Sequence, residues 1–380
     1  YSPTGHLLFT RQGTLFAVPF DAGRLEVNGE PVAIMDGLYQ PFNQYPGIFD
    51  LSFLNTTLVY PPAGGVARNR HLMMIDRTGK ISEWSSEEKA SEFWIFASRD
   101  GSRCGTIITG ETGASEIWVS ERGRPSSHRI STNSGASAIG GAWSPDGTQI
   151  AYTQTEQDTT DGIYIANVDQ AGPPRRLCGF SKPDGLLIAG SWSPDGATLL
   201  ASGPRGAFAI PVSSASGTPA QPRSLFGDNG IRYLPFFSPD GRLIAYVSRE
   251  TGSAETFICR WGGRGVVGTP LQVSVGGGGL AKWSRDGKKL YYQNSQAKLM
   301  VVDIVETPTL RSGTPSVAWD LDALRIANFR GAGYLFDFLP DGRMLAVQKA
   351  EGEGDPTQIN VVLNFGQELK ERMRAASGSK

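Results

Sequence analysis

Short apolar runs alternate along this chain with clusters of Ser, Pro, Asp and Gly. In GGAWSPDGTQIAYTQ, residues 140–154, Ala142 and Trp143 end one run and Ile150, Ala151 and Tyr152 begin the next. The four residues between the runs carry the chemistry of a tight turn. Serine suits its first position, proline presets φ at the second, aspartate tolerates the bridge region at the third, and glycine takes φ > 0 at the fourth. A type I turn closed by a left-handed glycine is a common hairpin connection, so the stretch predicts a β-hairpin. The same pattern recurs at 190–203, 236–248, 282–293 and 337–348.

The turn glycines Gly101, Gly147, Gly196, Gly241, Gly287 and Gly342 stand 46, 49, 45, 46 and 55 residues apart. Gly5 in YSPTGHLLFT lies 96 residues earlier, two periods, and FDLSFLNTTLVYPP at 49–62 reads as a degenerate copy between. That makes eight units. A third strand follows each hairpin, as at 13–20, 115–123, 162–169, 207–213, 255–261 and 298–304, and a shorter fourth follows at 175–178 and 271–274. A period of about 40–50 residues with four short strands per unit is the signature of a β-propeller. The fold class expected is all-β: one propeller of four-stranded blades over 1–365, eight by count, with seven or six if an eroded unit is skipped. Residues 366–380 supply a short peripheral helix and tail, with Leu369 and Met373 on one apolar face.

The chain opens inside a unit, at the turn that ends its first strand. The last unit shows three strands, near 334–338, 343–348 and 359–364, and no fourth. A strand from upstream of Tyr1 is expected to fill that place, which makes the chain the C-terminal portion of something longer. Until filled, the edge is open to a strand donated by another chain.

Composition narrows the chemistry. The net charge is −1 and no apolar run is long enough to span a membrane, so neither nucleic-acid affinity nor membrane insertion is expected. Cys104, Cys178 and Cys259 fall in three different units without a CxxC pair, and read as buried strand residues. GRGVVG at 263–268 has the glycine spacing of a dinucleotide loop but lacks the strand-to-helix context, and reads as a loop between third and fourth strands. The turn aspartates Asp146, Asp195, Asp240, Asp286 and Asp341 stand singly, where calcium needs several oxygens at one point. They read as caps of their own turns. Trp143, Trp192, Phe237 and Trp283 read as packing between blades. The three histidines, His6, His71 and His128, flank no nucleophile, and there is no G-x-S-x-G. No catalytic residue, metal ligand or cofactor is expected.

The WSPDG hairpins resemble TolB-like propeller repeats, which also occur in the propellers of prolyl oligopeptidases. The stretches 5–37, 237–261, 271–293 and 357–373, in order, look like the C-terminal propeller of a group of bacterial proteins. Many members of that group are serine/threonine protein kinases with a kinase domain, a connecting segment and a TolB-like tail. Others carry a winged-helix domain or stand alone. Two units depart from the pattern, with FLNT and SRDG where SPDG is usual. No kinase motif is present, so no kinase residue carries over.

The function expected is a non-catalytic ligand- or protein-binding and sensing module, extracytoplasmic, belonging to a larger bacterial protein such as a receptor-like kinase. The alternatives are a propeller that serves a hydrolase and a structural assembly module. An enzyme should show convergent titratable residues at one end of the channel; a scaffold should show a mostly neutral one. A protein, peptide or small ligand is expected on the face formed by loops leading into the innermost strands, where Glu92, Arg232, Tyr233, Arg249, Lys282, Arg330 and Tyr334 mix charge with aromatic area.

Overall fold

The computed structural model describes residues 1–11, 14–38, 49–52, 56–62, 71–85, 92–109, 114–131, 136–155, 161–170, 172–180, 185–212, 219–227, 231–326, 334–349 and 358–377. The chain forms two compact units: Arg68–Lys349, and Tyr1–Ala67 with Ala350–Lys380.

In the larger unit every turn glycine of the repeat has positive φ, from 69° at Gly101 to 81° at Gly342. In each turn the glycine N–H donates to the carbonyl three residues back, as from Gly147 to Ser144 at 3.0 Å. The serine and aspartate complete the turn. Ser144 Oγ donates to Asp146 Oδ1 at 2.5 Å and accepts the Gln149 N–H at 2.9 Å, while Thr148 N–H donates to the same carboxylate oxygen. Asp195 and Asp286 repeat this arrangement, and so does Asp100 in the SRDG turn.

These bonds, the serine hydroxyl's first, hold Asp100, Asp146, Asp195 and Asp286 below the usual carboxylate range. A depressed folded-state pKa contributes stability above the unfolded value, and that stability is lost as pH falls through the folded value. The melting temperature is therefore expected to drop as pH falls below about 4. A thermal melt series down to about pH 3 checks this, and a flat profile would contradict it.

Among the described residues the hairpins of the larger unit assemble into six antiparallel sheets, five of four strands and one, which begins at Gly279, of five. The first blade holds Glu92–Ala97, Arg103–Thr109, Ser115–Glu121 and Ser127–Arg129. The second to fifth begin with the innermost strands Ser137–Trp143, Ile188–Trp192, Arg232–Phe237 and Gly279–Trp283. In the sixth, Phe336–Phe338 and Met344–Gln348 are followed in space by His71–Ile75 and Ile81–Glu83, from the other end of the unit. Each innermost strand packs on its two neighbours, the sixth on the first, so the ring closes.

Two expectations are corrected here. The blade number is six, the smallest of the three counts, because strands 71–75 and 81–83 belong to the last blade and not to a separate early one. And the last blade does have its fourth strand. Residues 360–362 instead pair with Leu58–Tyr60 in the smaller unit. A closed ring needs one blade that joins the two ends of its chain, and periodicity along the chain cannot show which strands those are.

The smaller unit contains His6–Arg11 and Thr14–Asp21 with Glu26–Val27 and Val32–Met35, a second sheet of Asp50–Leu51, Leu58–Tyr60 and Asn360–Val362, and a helix at Phe365–Ser377. Leu369 and Met373 are buried with Phe365, Leu15, Ile34 and Leu58, whereas Lys370, Glu371 and Arg372 are exposed, as the i, i+4 spacing requires. The one propeller expected over 1–365 is thus resolved into a closed ring and this separate unit. The three cysteines are buried thiols, none in a disulfide.

Candidate functional site

The recurring tryptophans join the blades. The Trp143 indole donates to Phe96 O at 3.0 Å, Trp192 to Ala142 O at 3.1 Å, and Trp283 to Phe236 O at 3.3 Å. Each of these indoles thus bonds the residue just before the equivalent position in the preceding blade. That preceding position forms a ring of its own, Phe96, Ala142, Ser191, Phe236, Lys282 and Asp337, one from each blade. All six line a cavity of about 250 Å³ on the face formed by the hairpin turns.

A bulge in the innermost strands sets up this ring. The register slips between Ile139 and Ala142, between Tyr233 and Phe236, and between Gly279 and Lys282. Gly140, Leu234 and Leu280, three residues before the tryptophan position, take φ of 64°, 52° and 51°. A bulge inserts one residue and re-aims the side chains after it. At Phe96 the neighbours must be small: a Cβ on Gly105 would stand 2.2 Å from its ring, and one on Gly141 2.5 Å.

The chemistry is concentrated on the fifth, sixth and first blades. Lys282 and Asp337, both buried, face each other at 3.5 Å. The Lys282 ammonium also lies 4.5 Å from the ring centres of Phe236 and Tyr334, a cation–π arrangement. Asp337 Oδ2 accepts the Ala97 N–H at 3.0 Å and Oδ1 accepts the Phe338 N–H at 2.8 Å. Burial alone would raise the Asp337 carboxyl; the Lys282 and Arg285 cations and these two N–H groups outweigh it and hold it below the usual range. Burial draws the Lys282 ammonium below its usual value, with Asp337 opposing and Arg285 assisting.

Two arginines guard the mouth. Arg285 and Arg99 stand where the turn usually has proline. Arg285 Nε donates to Phe338 O at 2.7 Å, and its Nη2 reaches the carbonyls of Ala97 and Ser98. Arg99 reaches Pro239 O of the fourth blade at 3.5 Å.

The residues singled out from the sequence separate. Lys282 lines this cavity. Tyr334 is fully buried beneath it, edge-on to Phe236 at 4.8 Å. Arg232, Tyr233 and Arg249 lie at the other end of the fourth blade's strands, where Arg232 pairs with Glu250 at 2.6 Å and Arg249 covers the Tyr233 ring. Glu92 begins the first innermost strand, its side chain outside the described residues, and Arg330 lies wholly outside them. Asp337, Arg285, Arg99, Phe96 and Ser191 were not anticipated. Their signal was present as departures from the repeat: the position before the tryptophan varies in chemistry from copy to copy, and two turns replace proline by arginine. Among the described residues no group of His, Cys, Asp or Glu could hold a metal ion.

A family model described as the TolB beta propeller domain matches residues 126–320. Among solved structures, a protein described as TolB from Agrobacterium tumefaciens is 20% identical with a TM-score of 0.55, covering 74% of this chain and 98% of that one. A protein described as a 6-phosphogluconolactonase from Bacteroides uniformis is 15% identical, TM-score 0.49, covering 80% and 98%. TolB from Acinetobacter baumannii is 13% identical, TM-score 0.43, covering 94% and 82%.

Proposed function

The chain belongs to the TolB beta propeller domain family, and from that premise we propose that it is a non-catalytic recognition module whose site is the cavity on the hairpin face. The observation that carries this reading is the ring of six positions, repeated in backbone and different in chemistry, opening into one cavity. Repetition supplies a rigid frame, and variation at one position per blade supplies selectivity. This moves recognition from the face first expected, with Arg232, Tyr233 and Arg249, to the opposite end of the blades.

Convergent charged groups are also what an enzyme would have. Their identity favours binding. Guanidinium groups do not exchange protons at ordinary pH. Lys282 and Asp337 neutralise each other, and Asp337 is held in its ionised form. General acid–base work needs a group poised to change protonation near working pH. Asp337 is not arranged that way, and no histidine lines the cavity among the described residues.

The wider proposal is that this module serves a larger bacterial protein, such as a receptor-like serine/threonine kinase, in an extracytoplasmic setting. The segments quoted above support it by resemblance. No helix among the described residues is long and apolar enough to cross a membrane.

Selection of a displayed random-peptide library on the immobilised chain tests the site. Binders are expected to compete with one another and to lose binding when Ser191→Trp fills the cavity. Binders that ignore Ser191→Trp but are lost on joint Arg232→Ala and Arg249→Ala replacement would return recognition to the other face.

A further inference from the structure

We propose that the hairpin-face cavity receives a single carboxylate carried on an apolar stem, as presented by a peptide C-terminus, an acidic side chain or a small free acid. This deepens the recognition reading above and rests on it.

Charge sets the sign. Arg99, Lys282 and Arg285 line the cavity against one carboxylate, Asp337, so the described lining is in cationic excess. The rim aspartates weigh little against this, because they are exposed to water and turned onto their own serine hydroxyls and N–H groups.

Hydrogen bonding gives the second argument. An ammonium has three donors. Lys282 has Asp337 at 3.5 Å and two aromatic faces at 4.5 Å, and each Asp337 oxygen already accepts one N–H, from Ala97 or Phe338. An incoming carboxylate would supply a shorter acceptor than Asp337 does at 3.5 Å. Ser191 Oγ accepts the Phe237 N–H at 3.1 Å from the next blade, which orients its hydroxyl while keeping its proton available to a ligand.

Size and polarity narrow the class. About 250 Å³ lies below the ~300–1,000 Å³ of pockets for drug-sized ligands. That favours a small group over a nucleotide. Phe96, Phe236 and the tryptophan edges suit an apolar stem. Asp337, fixed inside the site, repels a second negative charge, which disfavours a phosphate dianion relative to a carboxylate.

Calorimetric titration of the full chain with 3-phenylpropionate, its neutral amide and inorganic phosphate tests this. The acid is expected to bind saturably, and the amide and phosphate at least about tenfold more weakly. The double variant Arg99→Pro/Arg285→Pro restores the usual turn residue while removing both cations. It should still unfold cooperatively, with a melting temperature lowered only modestly by loss of the Arg285 and Arg99 hydrogen bonds, and lose about tenfold in affinity for the acid. A short apolar peptide, with a free or an amidated C-terminus, separates the sources: discrimination between the two forms assigns a chain terminus, and binding of the free acid alone assigns a small molecule. Equal binding of acid and amide, both abolished by Ser191→Trp, overturns the carboxylate and leaves the site. So does tighter binding of phosphate. Saturable binding that ignores Ser191→Trp overturns the site as well. Absence of acid binding up to about 10 mM also overturns the carboxylate proposal.

Discussion

Asp337→Ala is expected to destabilise the protein by about 3 kcal/mol, the lower part of the range for breaking a buried ion pair, because the cavity opens to water on one side. The variant leaves the buried Lys282 ammonium with no carboxylate and removes the acceptor of the Ala97 N–H. Lys282→Met should cost less. Asp337 would keep both backbone N–H partners and the nearby Arg285 cation. The double variant Lys282→Met/Asp337→Leu should recover part of the loss, since a buried pair replaced by apolar side chains is often neutral. It should not recover all of it, because Ala97 N–H still lacks its acceptor, worth about 1–3 kcal/mol. Urea unfolding midpoints for the three variants check this order. An Asp337→Ala loss within about 0.5 kcal/mol, the range of an ordinary surface substitution, would show that the pair is well solvated and would remove the electrostatic basis of the site.

Removing residues 1–83 is expected to abolish cooperative folding of the ring. The strand His71–Ile75 pairs along its whole length with Met344–Gln348, and Ile81–Glu83 lies outside it. Without them the sixth blade is a two-stranded hairpin, marginal at best in water. Leu72, Met74 and Ile75 are buried and leave with the deleted segment, and Trp84, also buried, loses the Leu72 carbonyl that its N–H bonds. At about 1.5–3 kcal/mol for each large apolar side chain, their combined contribution is comparable to the whole 5–15 kcal/mol by which a domain is stable. A chain of residues 71–349 retains these contacts and should unfold in one transition. Comparing 71–349 with 84–349 by circular dichroism in urea decides it. A sharp transition in the shorter chain would mean that the ring does not depend on the closure. The same comparison bears on the blade count, since eight independent units would make 71–83 dispensable to the last one.

Much of the architecture was written locally. Ser144 to Gly147 specify a turn by the intrinsic φ preferences of proline and glycine, and those preferences do not depend on what surrounds them. The alternation around Ile150 to Tyr152 specifies a strand for the same reason. Recurrence of both, with an aromatic at Trp143, Trp192 and Trp283, determined a propeller and assigned those indoles to joining blades. The helix face of Leu369 and Met373 was equally local, a matter of spacing on a 3.6-residue period.

The rest depended on contacts between residues far apart in the chain. Asp337 sits in a copy that reads as an ordinary hairpin, and only closure of the ring brings it to Lys282 on one side and Ala97 on the other. Arg99 and Arg285 looked like eroded turn residues, because a turn tolerates arginine where it prefers proline. Their reach across the mouth is a property of the assembled ring. The pairing of 71–75 with 344–348 decided six blades over eight, since hydrogen bonding follows proximity in space and the count followed order in sequence. The sequence by itself therefore determined the repeated unit and the faces it buries. The tertiary structure decided how many units close, which position in each looks into the cavity, and which charges meet there.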